Sequence, residues 1–426
     1  MTITGLSKLV HEQAPNAYTT IPLTLFQNKR IAVDANNFAY IYYEVSQKKV
    51  IFKTDLGATK GEFDKEEVRK EWFRSIVEWV IIILSYGCIP VFCFDGDASP
   101  KKTATREKRK GSKDKLKKEI ELLKQQLNTN DPLIYDAQAA NELKKKLPWL
   151  AYVSKKEIDD FKALLGAIGI PCLQGKQCVE GEGLCSILCR EGKVFAAFSN
   201  DTDTIAYKCP ISVSKFGDYY VDPTTNQRVH QFEGVIYDRI LQGLNMTAPF
   251  LTELCIMAGC DFNTNIPRVA MITAMKLLKD YGTIENIGTI KDISCLDHQY
   301  CREVFSYKPS EGMIESGEYN HIPTIQDLAK DGIRELLESF HVDGYISRLV
   351  NIYRQITPDN FKDISSNSNL HLDPPPVEKK VILKIKKKEE VPPLPMDMSQ
   401  ITFIRCKDPV VDVSYPIKLK IRQLAI

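Results

Sequence analysis

The sequence predicts an α/β fold in which a mostly parallel central sheet is flanked by helices. Three short apolar runs, at residues 30–34, 90–96 and 193–198, have the character of buried parallel strands, and each ends in or leads into acidic residues. Residues 66–84 repeat apolar side chains at helical spacing. Strands that alternate with helices favour a parallel sheet covered on both faces, and ligands of such sheets bind beyond the carboxyl ends of the strands.

The composition is that of a globular protein with more than one structural region. The chain has 426 residues, of which 43% are hydrophobic and 26% charged, and its formal net charge is +2. This near-neutral total excludes a generic histone-like binder of nucleic acid. Twelve cysteines without a Cys-x-x-Cys pair favour free thiols in a reducing compartment. The most apolar stretch, 77–94, is interrupted by Glu78 and a Gly-Cys-Ile-Pro turn, so we predict neither secretion nor a membrane span.

A strongly basic stretch follows the second apolar run. Between residues 101 and 118, ten residues are basic and two are acidic. The helical pattern continues to about residue 127, and a second helix is predicted at about 135–146, so we expect two helices to project from the sheet. A positive helix pair suits sequence-independent contact with a nucleic-acid backbone. A solvated, charged helix pair remains the alternative interpretation.

Seven acidic residues stand out because they follow strands or form acid-x-acid pairs. Like charges gathered at one edge of a sheet repel each other, and bound divalent cations remove that conflict. Two such ions about 4 Å apart can clamp the attacking and leaving oxygens of a phosphodiester. Taken singly, these acids are explained as well by helix capping or by surface exposure, so the argument depends on the set. Its members are Asp34, Asp95, Glu180, Glu182, Asp201, Asp203 and Asp261.

At these residues the chain resembles the flap endonuclease/XPG family of structure-specific 5′ nucleases. The resemblance covers roughly residues 1–290. Residues 1–9 are similar to the start of the family, and residues 31–40 to its first acidic motif. The further matches are Phe94-Asp95-Gly96, Glu180-Gly181-Glu182 at the family's Glu-Ala-Glu, Asp201-Thr202-Asp203 at its Asp-x-Asp, and Gly259-Cys260-Asp261-Phe262 at its Gly-x-Asp-aromatic motif.

The resemblance implies a site with two Mg²⁺ ions per chain, for which Mn²⁺ can substitute. It assigns Asp34, Asp95, Glu180 and Glu182 to the first ion, and Asp201, Asp203 and Asp261 to the second. Lys102 and Arg109, seven and fourteen residues after Asp95, would be catalytic bases that contact the scissile phosphate. Their separation of seven residues puts both on one face of a helix. By composition alone they are two more solvated bases.

The resemblance also implies contacts with DNA, at Tyr40, Glu180, Gly259, Asp261 and Arg268. Tyr40 would stack on a base near the cut, and a buried core tyrosine is the alternative. In the family, a Gly-x-Gly hairpin between two helices grips duplex phosphates. Here Arg268 and Ala270 stand at the two glycine positions, so close approach of the backbone should be harder and Arg268 would supply a charged contact instead.

The resemblance predicts a PIN-like nuclease core with a helical arch and a helix–two-turn–helix DNA-binding region. Along the chain we predict an N-terminal nuclease region, a basic arch, an internal nuclease region with the helix–two-turn–helix at about 251–285, a C-terminal helical part, and a Pro/Lys-rich tail. Their bounds are 1–100, 101–150, 151–300, 301–365 and 366–426.

The predicted function is Mg²⁺-dependent cleavage of branched DNA that carries a 5′ single strand, in replication, repair or recombination. The alternatives are a relative that cuts four-way junctions or acts as a 5′ exonuclease, a module that binds DNA without cutting, and a PIN-like ribonuclease. We expect a monomer in the nucleus (the host nucleus if the protein is viral) rather than in the cytoplasm. Residues 398–403 lack the paired aromatics of a sliding-clamp motif, so a clamp partner stays open.

Overall fold

The chain folds around a seven-stranded sheet whose order is β1-β9-β6-β5-β2-β3-β4. A computed structural model describes residues 3–97, 99–127, 137–176, 178–306 and 318–363. The predicted tail at 366–426 lies outside these residues. In chain order, the strands of the described part are β1 (Tyr18–Pro22), β2 (Lys29–Asp34), β3 (Cys88–Phe94), β4 (Cys172–Gln174), β5 (Ala196–Phe198), β6 (Ile211–Phe216), β7 (Tyr220–Val221), β8 (Arg228–Val229) and β9 (Gln231–Ile236).

The predicted, mostly parallel architecture is confirmed. The pairs β5–β6, β2–β5, β2–β3 and β3–β4 are parallel, whereas β9 runs antiparallel to both β1 and β6. Strands β7 and β8 form a separate antiparallel pair. The three predicted apolar runs correspond to β2, β3 and β5. Strand β5 begins three residues later than its run, because residues 191–195 form a turn and bend after the preceding helix.

Helices cover both faces of the sheet and extend beyond one end of it. In the described part of the chain they are α1 (Leu6–Gln13), α2 (Ala35–Lys53), α3 (Lys65–Ser85), α4 (Thr103–Leu127), α5 (Ala137–Lys146), α6 (Lys155–Ala167), α7 (Gly181–Arg190), α8 (Asp203–Ala206), α9 (Tyr237–Leu244), α10 (Ala248–Ala258), α11 (Met271–Tyr281), α12 (Ile284–Ile287), α13 (His298–Ser306), α14 (Ile325–Leu328), α15 (Ile333–Ser339) and α16 (Ile346–Tyr353). None of them is long and apolar enough to cross a membrane.

The main core lies between the sheet and helices α2, α3 and α6. Phe38 is its centre, because its ring contacts Trp79, Phe92, Phe161 and Phe198 from all the surrounding elements. Burial of each such ring stabilises the fold by about 1.5–3 kcal/mol. Helix α7 packs on the opposite face of the sheet, against β2, β3 and β5. The sheet is therefore fixed from both sides, and the loops at its carboxyl edge start from rigid elements.

Helices α4 and α5 fall where the sequence predicts a helix pair, in the segment predicted as the arch, and they contact each other. Residues 128–136 between them lie outside the described part of the chain. Ile120 of α4 and Leu143 of α5 pack with Ile51 of α2 and with Leu56 and Leu147 in a small apolar cluster. The helix pair is thereby attached to α2, the helix that follows the first acidic strand.

A second core joins α1 and α9 to α10, α11, α12 and α13. Its centre includes Leu251, Leu254, Ala274 and Leu278, so α10 and α11 form the packed helix pair that the sequence predicts around 251–285. Helix α13 belongs to this core, and the predicted boundary at residue 301 falls within it. Helices α15 and α16 instead pack on α6 and α3 beside the main core.

Candidate active site

The carboxyl edge of the parallel strands carries the predicted acids. Asp34 is the last residue of β2, Asp95 directly follows β3, and Asp201 lies just after β5. Because adjacent parallel strands end at the same edge of a sheet, these three carboxylates come together. The beginning of α7 adds Glu180 and Glu182 from the opposite side of the same edge.

Asp34 is held by two hydrogen bonds and is almost completely buried. Its Oδ1 accepts from the backbone N–H of Asn37 at 3.1 Å, which caps α2, and its Oδ2 accepts from Ser199 Oγ at 3.1 Å. Burial, followed by repulsion from Asp95, raises the pKa of Asp34 to about 8. Asp34 therefore does cap α2, as the alternative interpretation proposes. Its carboxyl group nevertheless lies beside other acids of the site.

Asp95 connects the end of β3 to the beginning of α7. Its Oδ1 accepts from the backbone N–H of Gly181 at 2.8 Å, and its own N–H donates to Asn36 Oδ1 at 3.2 Å. Burial raises the pKa of Asp95, although the Gly181 amide and the Lys102 charge oppose the increase. The carboxyl group is therefore fixed in direction by α7.

Glu182, Asp201 and Asp203 form the tightest group of acids. One carboxylate oxygen of each lies within 4.8 Å of the others. Asp203 is 0% exposed and accepts from the backbone N–H of Ile3 at 3.2 Å, which brings the N-terminal segment to the site. Burial and then repulsion between the acids raise the pKa values of Glu182 and Asp203 well above their usual range. The resemblance assigns Glu182 to the first ion, but the structure groups it with the two acids of the second.

Lys102 and Arg109 reach the acids from α4 and the short turn before it. Lys102 Nζ lies 3.2 Å from Asp261 Oδ2 and also pairs with Glu180. Arg109 Nη2 lies 2.8 Å from the same Asp261 oxygen. Burial lowers the pKa of Lys102, but the charges of Glu180, Glu182 and Asp261 outweigh it, so the pKa is raised and Lys102 is charged. Both bases therefore point into the site, where Lys102 is largely covered and Arg109 stays half exposed.

One open cavity of about 770 Å³ contains this arrangement. Acidic side chains line its floor, and α4 forms a basic wall opposite them. The lining also includes three residues that sequence reasoning missed, Asn36, Asn37 and Tyr152. The two asparagines lie in the first turn of α2, shortly after Asp34. Their closeness in sequence to a predicted site acid could have identified them as lining residues. The lining acids are Asp34, Asp95, Asp114, Glu180, Glu182, Asp201 and Asp261, and the bases are Lys102, Arg106, Arg109, Lys110, Lys113 and Lys117.

The donor set fits divalent cations. Among the described residues, Glu180 Oε2 and Asp203 Oδ2 are buried oxygens without a hydrogen-bond partner, although such oxygens normally have one. Carboxylate oxygens are the ligands that Mg²⁺ and similar hard cations take. Bound cations would give such oxygens a partner, and they would offset the burial and the repulsion that raise the pKa values of Asp34, Glu182 and Asp203.

The other predicted DNA contacts fall in two places. Tyr40 lies on α2, is 40% exposed and lines the cavity, so it is not a core tyrosine. In the described part of the chain, Gly259 and Arg268 lie outside the lining of this cavity, in the segment between α10 and α11. Gly259 has φ +91°, a conformation that favours glycine, so its own backbone geometry accounts for the residue type.

Arg268 retains a glycine-type backbone conformation despite its side chain. Its φ is +62°, and the N–H of Val269 donates to the carbonyl of Ile266 at 2.9 Å, which closes a turn with Pro267 at its second position. Proline there followed by a positive φ is the pattern of a type II turn, which normally takes glycine. Ala270, at the other glycine position, has an ordinary φ of −90°.

The fold and the site define an α/β nuclease whose acidic centre fits metal ions. A model of the XPG N-terminal domain matches residues 1–116, and a model of the XPG I-region matches residues 169–261. Flap endonuclease 1 of Lodderomyces elongisporus is 29% identical over 289 residues, which span 67% of this chain and 68% of that protein. Flap endonuclease 1 of Glycine max is 28% identical over 290 residues, with 67% and 68% of the two chains covered.

A solved structure agrees in fold. Flap endonuclease-1 from Methanococcus jannaschii is 19% identical, with a TM-score of 0.50 and coverage of 80% of this chain and 97% of that one. Together with the two matched XPG regions, these relatives support the predicted resemblance of the chain to the flap endonuclease/XPG family of structure-specific nucleases. The predicted resemblance is confirmed, whereas the roles of the individual site residues stay predictions.

Proposed function

We propose that the protein is a Mg²⁺-dependent DNA endonuclease that cuts branched DNA at a 5′ single strand. The observation that carries the proposal is the cavity in which six acids from the sheet edge and its loops face six bases on α4 and the turn before it. Acids alone would repel a phosphodiester, and bases alone would bind it without cutting. Metal-loaded acids on one side and a basic wall on the other suit both tasks.

The site residues divide the chemistry between them. Asp34, Asp95, Glu180, Glu182, Asp201, Asp203 and Asp261 would hold two Mg²⁺ ions, which supply an activated water and stabilise charge on the phosphate oxygens. Lys102 and Arg109 would bind the scissile phosphate from the opposite side. Both already share Asp261 as a partner, so their positive groups are directed to one point. Preorganised donors of this kind lower the barrier because they need no rearrangement during the reaction.

The basic wall would hold the single strand. Arg106, Lys110, Lys113 and Lys117 lie on α4 and line the cavity beyond the two catalytic bases. Contacts between such bases and phosphates carry no sequence information, which suits an enzyme that selects a DNA structure. Arg268, in the turn between α10 and α11, would contact the duplex portion of the branch.

The cellular setting belongs to the same proposal. The relatives named above are flap endonucleases of eukaryotes, which supports our proposal that the protein works in the nucleus in DNA replication or repair; we also propose that it is a monomer. Its partner would be branched DNA with a 5′ single strand. A sliding-clamp contact would have to come from the tail, which lies outside the described residues.

A panel of substrates tests the proposal. The purified protein is incubated with a 5′-flap, a nicked duplex, a four-way junction, single-stranded DNA and single-stranded RNA, each with Mg²⁺ or with EDTA. We expect endonucleolytic cleavage of the flap at the junction with Mg²⁺ and none with EDTA. Four results would contradict the proposal, and each would support one of the alternative functions. They are preferred cleavage of the four-way junction (a junction-cutting relative), removal of single nucleotides (a 5′ exonuclease), cutting of RNA only (a PIN-like ribonuclease) and binding without cleavage (a DNA-binding module).

A further inference from the structure

A second cavity adjoins the candidate active site. It encloses about 630 Å³, which is within the ordinary size of ligand pockets. Tyr152 and Lys117 line both this cavity and the active-site cavity. The two spaces therefore meet at these side chains, and a strand that leaves the active site along α4 reaches the second cavity there.

The second cavity suits an uncharged ring better than a phosphate. Lysines 65, 117 and 124 in its lining are balanced by glutamates 62, 121 and 157, and Lys124 Nζ is already paired with Glu62 at 2.6 Å. Much of the remaining lining is apolar or aromatic and includes Phe63, Ile120 and Leu147. The active-site cavity, by contrast, carries a continuous basic wall. Phosphates should stay on that wall while a base turns toward the second cavity.

Tyr152 is held at the junction of the two cavities by its neighbours. Lys113 Nζ donates to the carbonyl of Ala151 at 3.2 Å, and Tyr40 Oη donates to the carbonyl of Val153 at 3.4 Å. The residues on either side of Tyr152 are thus attached to α4 and to α2. Tyr152 itself remains 65% exposed. An exposed ring on a fixed backbone is a preorganised stacking surface, because little entropy is lost when a base covers it.

We propose that Tyr152 forms a nucleobase site at the mouth of the second cavity, where one unpaired base of the cleaved strand stacks on its ring. The inference rests on the proposed function, since it takes DNA in the active site as given. It deepens that function with a base contact separate from the one predicted for Tyr40. The role of Tyr152 is positioning: the stacked base holds the strand so that the scissile phosphate meets Lys102 and Arg109.

A fluorescence experiment in EDTA tests the site without cleavage. A 5′-flap carries the fluorescent base 2-aminopurine at one single-stranded position at a time, and stacking on an aromatic ring quenches it. We expect one or two adjacent positions at which the wild-type protein and Tyr152→Phe quench and Tyr152→Ala does not, whereas quenching at the base predicted to stack on Tyr40 is unaffected by Tyr152→Ala. Affinity for the flap should fall at least about fivefold in Tyr152→Ala, at the lower end of what one base–aromatic stack provides.

Trp149 supplies the matched control. It is also 65% exposed and lies three residues away, but it lines neither of these two cavities. Trp149→Ala should therefore behave as the wild type. An abasic nucleotide at the quenched position should reproduce the loss in the wild-type protein and add nothing to Tyr152→Ala, because both changes remove the same contact.

The outcomes separate this inference from the proposed function. If the wild-type protein cuts flaps while Tyr152→Ala and Trp149→Ala bind and quench alike, the base site is wrong and the nuclease proposal stands. If the abasic nucleotide has the same effect at every position, the base site is likewise wrong. A protein that cuts no branched DNA overturns the proposed function, and the quenching pattern, which needs no cleavage, still decides whether the base site exists.

Discussion

The backbone amide of Gly181 donates to Asp95 Oδ1 at 2.8 Å, which attaches the beginning of α7 to the end of β3. The contact requires a very close approach of the two elements. A Cβ atom at position 181 would lie 2.5 Å from the carbonyl oxygen of Cys93 and 3.3 Å from oxygens of Asp34 and Asp95. The family pattern has alanine between its two glutamates, whereas this chain has glycine. In this chain the backbone of β3 occupies the space that a methyl group at position 181 would need.

Gly181→Ala should therefore damage the site without unfolding the protein. The added methyl group must displace α7 from β3, which moves Glu180 and Glu182 together. We expect a loss of about 10- to 100-fold in single-turnover cleavage of a 5′-flap, as for other changes that misorient metal ligands. Higher Mg²⁺ concentrations should recover part of the loss, which a Mg²⁺ titration of the cleavage rate measures.

Gly166→Ala is the matched control for this substitution. Gly166 lies inside α6, and a Cβ there would meet nothing within 4 Å. Alanine should stabilise that helix by up to about 1 kcal/mol and leave cleavage unchanged. Equal activity of the two variants would show that α7 tolerates the shift and that Glu180 and Glu182 are not held by this contact.

Lys102→Ala and Arg109→Ala should each slow single-turnover cleavage by about 100-fold or more, as loss of one preorganised donor does. Both variants should still bind DNA, because the other bases of α4 remain. Lys115, an exposed residue of α4 outside the cavity lining, gives the comparison. Lys115→Ala should affect only binding and its salt dependence. If all three variants lose cleavage and binding to the same degree, the two bases have no catalytic role.

Arg268→Gly should stabilise the fold and weaken binding of duplex DNA. Glycine relieves the left-handed conformation at φ +62°, which costs other residues about 1–2 kcal/mol. Urea unfolding should therefore show a gain of about 1 kcal/mol, while Arg268→Ala shows none. Both variants should bind flaps with a duplex arm more weakly than the wild type does and bind single strands equally well.

Ala270→Gly provides the control for the stability gain. Its φ of −90° is open to any residue, so glycine there should bring no comparable stabilisation. Equal gains at both positions would mean that loss of a side chain, and not relief of backbone strain, explains the effect. Unchanged duplex binding by Arg268→Gly and Arg268→Ala would exclude Arg268 as a phosphate contact.

The metal-free protein should become less stable as the pH rises from about 4 to about 8. Burial raises the pKa of Asp34 from 3.8 to about 8, and the pKa values of Glu182 and Asp203 also rise. Since the folded state then binds more protons than the unfolded chain between these limits, the free energy of unfolding falls with increasing pH. Thermal unfolding in EDTA across this range measures the decline.

Mg²⁺ and one substitution identify the groups responsible for that decline. Added Mg²⁺ should raise the melting temperature more at pH 8 than at pH 5, because the cations replace protons among the ionised acids. Asp34→Asn in EDTA should be more stable than the wild type at pH 8 and show a weaker pH dependence. A melting temperature that is independent of pH in EDTA would show that burial and repulsion do not raise the pKa values of these acids in the folded state.

The acids at the strand ends were predictable because two physical rules coincide there. Apolar runs identify buried parallel strands, and such strands end at one edge, so Asp34, Asp95 and Asp201 had to be neighbours. The antiparallel strand β9 was missed, because a Gly and two polar residues interrupt its apolar pattern. The alternating side chains at 211–213 were a usable signal for β6.

Other parts of the site depend on contacts that no local pattern carries. Tyr152 reaches the cavity only because Ala151 and Val153 are attached to α4 and α2, and those bonds span 38 and 113 residues. At Arg268 the residue type argued against a glycine-like turn, yet the hydrogen bond from Val269 to Ile266 closes that turn and both of these side chains are buried in the second core. Tertiary structure, and not the preference of the residue, decides the backbone at that position.

The central claim is that the acids at the sheet edge hold the metal ions that cut DNA. Single-turnover cleavage of a 5′-flap in Mg²⁺ by Asp201→Ala, with flap binding measured on the same preparation, tests it most directly. Asp201 lies in the tightest acidic group and lines the cavity. We predict no detectable cleavage and binding at least as tight as that of the wild type, because the basic wall is intact and one repelling acid is gone. Cleavage near the wild-type rate would contradict the claim.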